Sequence, residues 1–299
     1  MTRLADLVEL VRAPAALSVP GDVVAGAAAA GALDRRTPAL AGASVLLYWA
    51  GMAANDWADR RLDAVERPER PIPSGRVRPA VAWGVAAGLT AAGLAVATAA
   101  GGRRAAAVAF PLAATIWGYD LRAKDTAAGP AVMAACRGLD VLLGATGGRA
   151  ARALPAALTV AAHTWTVTAL SRREVTGMPD RRLPGLTLAG TALIAVAAPG
   201  RPTVLSGAPS STGGVKRGPF LRVPAVLAAG YAVGYGRAQA RVLADPAPAR
   251  VRAAVGAGIT GLPALQGALT ARAGARLLGL AVAGAAPIGR RLARLVSPT

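Results

Sequence analysis

Between Ala54 and Val77 the chain reads ANDWADRRLDAVERPERPIPSGRV. Within nine residues it places Asn55, Asp56, Asp59 and Asp63. On a helix advancing 100° per residue these four fall at about 0°, 100°, 40° and 80°, so one face carries every oxygen donor. Hard oxygen donors of this kind suit Mg²⁺, which keeps several waters and is commonly shared with substrate phosphates instead of being caged by protein alone. The arginines that follow, Arg60, Arg61, Arg67, Arg70 and Arg76, could take phosphate oxygens that a metal does not reach. The plainer reading is an acidic, solvated helix end. Against it, acidic residues are scarce, 15 in 299, and this window concentrates them.

Three further stretches carry chemistry-bearing residues. WGYDLRAKDTAAGP offers Tyr119, Lys124, Asp120 and Asp125 at a helix exit. Tyr119 is either an interfacial aromatic anchor or a site phenol. Lys124 is distinctive because the chain has only one other lysine, Lys216, and a compact ammonium is a good point-charge partner for a diphosphate. Inside an apolar stretch, Cys136–Arg137–Gly138–Leu139–Asp140 puts a guanidinium and a carboxylate three apart, either as a structural pair or as a cavity lining. SRREVTGMPDRR holds Glu174 and Asp180 among Arg172, Arg173, Arg181 and Arg182. Near the start, Arg12–Ala13–Pro14 sets an arginine at the mouth of the first apolar stretch.

Long apolar elements must position these groups. The chain is 54% hydrophobic and 16% charged with a mean hydropathy of +0.44, outside the range of ordinary soluble domains. Apolar helices are expected at about 14–33, 39–58, 79–100, 104–119, 129–147, 154–170, 183–198, 221–235 and 250–271, with a tenth at 273–287. The expectation is therefore an all-α polytopic transmembrane bundle of nine or ten helices around a central cavity, forming one domain over residues 1–299. Residues 199–219, with GAPSSTGG at their core, read as a flexible outer loop.

The basic residues gather in the loops that lie inside when the N-terminus is cytoplasmic, and nearly all carboxylates fall on that same side. This points to an inner (plasma) membrane protein with its functional face toward the cytoplasm. A net charge of +19 with few aromatics and no basic helix face argues for anionic headgroups and a phosphorylated substrate, not nucleic acid. Cys136 alone allows no intrachain disulfide, and His163, alone in an apolar stretch, reads as a packed histidine.

NDWADRRLD resembles the NDxxDxxxD motif of the UbiA superfamily of intramembrane prenyltransferases. Tyr119 to Lys124 is similar to that family's tyrosine-and-lysine loop, and Arg12–Ala13–Pro14 to its first-helix arginine. RPERPIPSGRV, YDLRAKDT, CRGLDVLLG and SRREVTG together look most like the branch encoded in bacterial ebo-type clusters. The resemblance implies a helical bundle that binds an isoprenyl diphosphate through Mg²⁺, ionises its allylic C–O bond and lets an acceptor, often aromatic, attack the cation. By position it implies Asn55 and Asp59 as metal ligands supported by Asp56 and Asp63. Arg67, Arg70, Tyr119 and Lys124 would hold the departing diphosphate, and Arg12, Arg137 and Arg173 would add further cations. The family's second motif supplies aspartates four apart, whereas here Glu174 is the sole carboxylate of SRREVTG. That departure leaves open a non-catalytic carrier or assembly factor that binds an isoprenoid-like or aromatic metabolite. A CDP-alcohol phosphotransferase fits less well, because its DGxxAR pattern is missing after the first aspartates.

Overall fold

A computed structural model describes residues 2–200 and 222–285. In chain order the α-helices are α1 (Leu4–Leu10), α2 (Pro20–Ala30), α3 (Thr37–Glu66), α4 (Pro79–Gly118), α5 (Gly129–Gly144), α6 (Ala150–Ser171), α7 (Arg182–Ala197), α8 (Val223–Ala244), α9 (Pro248–Arg272) and α10 (Arg276–Ala285). The described residues contain no strand. The all-helical membrane-type bundle expected from the sequence is therefore what forms, and α3, α4 with its following turn, and α6 are long and apolar enough to cross a bilayer.

The apolar stretches match their expected positions except at several ends and joins; α8, for one, runs to Ala244, nine residues past the expected end at 235. The first stretch is not one helix: Ala13–Ser18 forms a 3₁₀ segment and only Pro20–Ala30 is α-helical, with Arg12 in the left-handed region at φ 46°. Ahead of it lies the short, unexpected α1. The third and fourth stretches are one element, α4, broken at Gly102, whose φ of 64° and ψ of −154° only glycine adopts readily. Trp83 and Trp117 lie 6.0 Å apart and the Trp117 indole donates to Thr90, so the two arms, 79–101 and 103–118, run back along each other. Finally, α3 continues two turns past the expected end at Ala58, which carries the whole acidic face on one helix. Most of the expected loop 199–219, and the start of the eighth stretch at Leu221, fall outside the described residues.

Small residues set the packing. A Cβ on Gly26 would collide with the carbonyl of Val141, and one on Gly144 with the carbonyl of Val23. α2 and α5 therefore touch backbone to backbone at two points, the close approach that glycine permits between membrane helices. On α8 the buried residues Ala228, Tyr231, Tyr235, Gln239 and Val242 recur at helical spacing, so one stripe faces the bundle and the other faces outward. His163 is packed against that stripe, with Nδ1 3.0 Å from the Tyr231 hydroxyl.

Alternating helix directions bring α1 and the segments 67–78, 119–128, 172–181 and 245–247 to one end of the bundle. Cross-links between them fix this end. Arg76 binds Glu9 at 2.6 and 2.9 Å and Asp6 at 3.0 Å, Lys124 meets Asp59, and the Met178 amide donates to Pro246 at 3.1 Å.

Candidate functional site

α3 delivers its carboxylates near its own C-terminus, where the helix dipole is already negative, so the site needs cations close by. The segments around it supply them. Arg12 donates to Asp56 at 2.7 Å. Arg70 donates to Asp63 at 2.7 Å and lies 3.5 Å from Asp56. Arg67, one turn after Asp63, lies 3.4 Å from it. Lys124, from the turn after α4, pairs with Asp59. Asp56 and Asp63 are buried at 4% and 1% exposure, so their charges depend on these partners.

The turn that carries Lys124 is a π-helical stretch, Tyr119–Ala123, and its wider winding re-aims two side chains. Tyr119 lines a cleft beside α3, and Asp120, 3% exposed, comes to 3.4 Å from the Asn55 amide. Asp120 stood out in the sequence only as a carboxylate at a helix exit, with no role at the site, and the structure brings it to Asn55. Arg172, noted in the sequence only as a neighbour of Glu174, donates to the carbonyls of Lys124 at 3.2 Å and of Thr126, which ties the lysine turn to the end of α6.

Below this mouth the cleft runs between α3, the second arm of α4 and α5. It is narrow, with a volume of about 40 Å³ and walls of Tyr48, Met52, Leu112, Ile116, Met133 and Cys136. Ser44, Arg137 and Asp140 close its far end. Arg137 and Asp140 do not pair with each other as a three-apart spacing allowed. Arg137 Nε lies 2.7 Å from Asp22 Oδ2 and its Nη2 donates to the Ser18 carbonyl at 3.1 Å, while Asp140 accepts from Ser44 at 2.5 Å. Gln266 of α9 donates to Asp22 at 2.6 Å and to the Ser18 carbonyl at 2.7 Å, which stitches the N-terminal and C-terminal parts of the bundle together.

The last expected members lie apart. The Glu174 carbonyl accepts from Arg252 at 2.9 Å, which holds this segment against α9. Partial burial raises the Glu174 carboxyl above its ordinary range, and the Arg252 charge opposes that rise. The Glu174 side chain has no hydrogen bond or ion pair among the described residues, and Arg173 is exposed. No three His, Cys, Asp or Glu side chains gather into a metal cage among the described residues. The donor set at the mouth, Asn55, Asp59 and Asp120, is nonetheless oxygen-bearing and close to Lys124. It fits an ion held by a few protein oxygens and completed by phosphate and water.

Known proteins resemble this chain in sequence or in fold. The family model described as the UbiA prenyltransferase family matches residues 18–182. Over 96 residues the chain is 43% identical to a digeranylgeranylglyceryl phosphate synthase of Methanothrix thermoacetophila, covering 29% of this chain and 36% of that protein. A 25-residue stretch is 68% identical to the bacteriochlorophyll synthase 33 kDa chain of Rhodobacter capsulatus, covering 8% of each. The chain thus spans about a third of the length of the synthase from Methanothrix thermoacetophila. Among solved structures, one from work on digeranylgeranylglyceryl phosphate synthase in membranes superposes with a TM-score of 0.67 at 17% identity, over 91% of this chain and 99% of that one. The apo structure of a UbiA homolog from Aeropyrum pernix K1 gives 0.57 at 18% identity, over 88% and 96%. At such identities the likeness is one of fold.

Proposed function

Because this chain belongs to the UbiA prenyltransferase family, we propose that it transfers an isoprenyl group from a prenyl diphosphate to an acceptor within the membrane, with Mg²⁺ as its metal. The observation that carries this reading is the ring of Arg12, Arg67, Arg70 and Lys124 around Asp56, Asp59 and Asp63, joined through the Asn55–Asp120 contact to the apolar cleft that Tyr119 and Asp120 line. Cations and oxygen donors meet where a diphosphate would sit, and an apolar space begins where its hydrocarbon would start.

In this reading Asn55, Asp59 and Asp120 would hold the metal, and Asp56 and Asp63 keep the arginines in place. Bound there, Mg²⁺ would supply charge neutralisation for the departing diphosphate. Lys124, Arg12 and Arg70 stabilise the same negative charge through preorganised donors. The Tyr119 ring and the walls Met52, Ile116 and Met133 exclude water from the allylic carbon. Glu174 and Arg173, on the segment that Arg172 ties to the lysine turn, make no hydrogen bond or ion pair with the ring of cations and carboxylates among the described residues. The acceptor is an aromatic or lipid-like molecule entering from the bilayer. The relatives named above are a digeranylgeranylglyceryl phosphate synthase and a bacteriochlorophyll synthase chain, which supports prenyl transfer in general and gives no support to the ebo-cluster branch. The loops carrying the site would face the cytoplasm, following the charge distribution.

The test is incubation of purified protein with radiolabelled allylic diphosphates of several chain lengths, Mg²⁺ and a panel of aromatic and lipid acceptors. Mg²⁺-dependent diphosphate release, abolished by Asp59→Ala, is the expected result. Saturable binding without release would replace this reading with the carrier.

A further inference from the structure

We infer that the groove between α8 and α9, at the end of the bundle where the site lies, is a binding site for the phosphate headgroup of an anionic phospholipid. This does not rest on prenyl transfer. The groove has a volume of about 320 Å³, and Arg237, Arg241 and Arg250 line it together with Gly234, Ala253 and Ala257. Arg237 and Arg241 are four apart on α8, on the face opposite the stripe of Tyr231, Tyr235 and Gln239 that packs inward. The groove is therefore on the outside of the bundle, where lipid lies.

Among the described residues its charge has no answer. All 15 acidic side chains of the sequence fall within the described residues, and none of them pairs with Arg237 or Arg241. Arg250 has only Asp245, at 3.6 Å and with both side chains more than half exposed. Unpaired arginines on a lipid-facing surface are costly unless they reach headgroup phosphates. Arg237 stands seven residues before the end of α8, about 10 Å from it, within reach of the interface for a side chain that extends along the helix. The walls explain why the groove takes a lipid in preference to diffuse counterions. Gly234, Ala253 and Ala257 leave room beneath the guanidinium groups, and a Cβ on Gly234 would meet nothing within 4 Å. The upper part of an acyl chain could lie along this floor while its phosphate meets the arginines, the arrangement of basic interhelical pockets that hold anionic lipids.

The experiment compares purified protein supplied with phosphatidylglycerol, phosphatidylcholine or inorganic phosphate, and reads bound lipid by native mass spectrometry and the thermal unfolding midpoint. Phosphatidylglycerol should be retained and raise the midpoint, whereas phosphatidylcholine and inorganic phosphate should do neither. The variant Arg237→Gln/Arg241→Gln/Arg250→Gln should bind it about a hundredfold more weakly, a factor of roughly five per arginine. Arg103→Gln/Arg104→Gln, at the opposite end, should bind as wild type. Gly234→Leu fills the groove with every charge intact and should also lose the lipid, which decides the matter if the triple variant fails to fold. Wild-type retention by Gly234→Leu or by a folded triple variant would overturn the inference. So would equal binding of phosphatidylcholine, or stabilisation by inorganic phosphate alone.

Discussion

Replacing Arg70 by alanine tests whether the acidic face of α3 is held by the segment that follows it. Asp63 is 1% exposed, and its two oxygens have separate partners: Arg70 at 2.7 Å on Oδ2 and Arg67 at 3.4 Å on Oδ1. Arg70→Ala removes the near partner and leaves Arg67, whose side chain is half exposed. Breaking one side of a buried ion pair costs about 3–5 kcal/mol. With Arg67 still in reach, the loss should sit at the low end, at about 3 kcal/mol. Asp63→Asn in the same chain removes the stranded charge, so the double variant should recover about 2 kcal/mol of that loss. Arg70→Lys keeps the charge but cannot span Asp63 and Asp56 together, and should cost about 1 kcal/mol. Thermal unfolding in detergent micelles, analysed as a double-mutant cycle, gives the coupling directly. If the single effects simply add, within about 0.5 kcal/mol, Asp63 does not depend on Arg70 and the placement of segment 67–78 against α3 is refuted.

Two other outcomes follow from local geometry. Gly102→Ala forces a side chain onto φ 64°, ψ −154°, and should destabilise by about 1–3 kcal/mol, read as a lower unfolding midpoint, although the space around Gly102 is open. Acidification should release α1. The Asp6 carboxyl is held below its ordinary 3.8 by the Arg3 amide, which donates to it at 2.9 Å, and further by Arg76, against an opposing effect of burial. A depressed folded-state value means the stabilisation is present above pH 3.8 and is lost as pH falls through that lower value. Protection from hydrogen exchange over residues 4–10, taken relative to the intrinsic rate at each pH, should therefore fall only below about pH 4, and Asp6→Asn should show the low protection at every pH.

Apolar length alone located the bundle, since runs of this hydropathy have few alternatives to membrane-length helices. Boundaries failed where local backbone mattered more than composition. The kink at Gly102 depends on one residue's ψ angle, and the split of 14–33 depends on Arg12 adopting a left-handed conformation. At the site, the acidic face was legible because helical spacing fixes it on a single element. Partners contributed from elsewhere were not. Arg12 reaches Asp56 across 44 positions, and Arg137 chooses Asp22 over the nearby Asp140. Asp120 turns inward because the last turn of its helix is π-wound, and no periodicity in YDLRAK announces that.

The pairing itself says how such a site could accept a charged ligand without a large electrostatic cost. Every carboxylate of the α3 face, Asp56, Asp59 and Asp63, is matched to a guanidinium or an ammonium, so no charge on that face is left alone. If a metal diphosphate binds as proposed, Asp59 gives up Lys124 and gains the cation, while Lys124 gives up Asp59 and gains a phosphate oxygen. Each group exchanges one opposite charge for another, and the desolvation already met in folding is not met again. Asp63, with both oxygens held by arginines and 1% exposure, has no such freedom and remains a fixed anchor. The same acidic face would thereby be divided: its Asp59 side, 23% exposed and facing a single ammonium, would exchange partners, and its Asp63 side would keep the arginines in place.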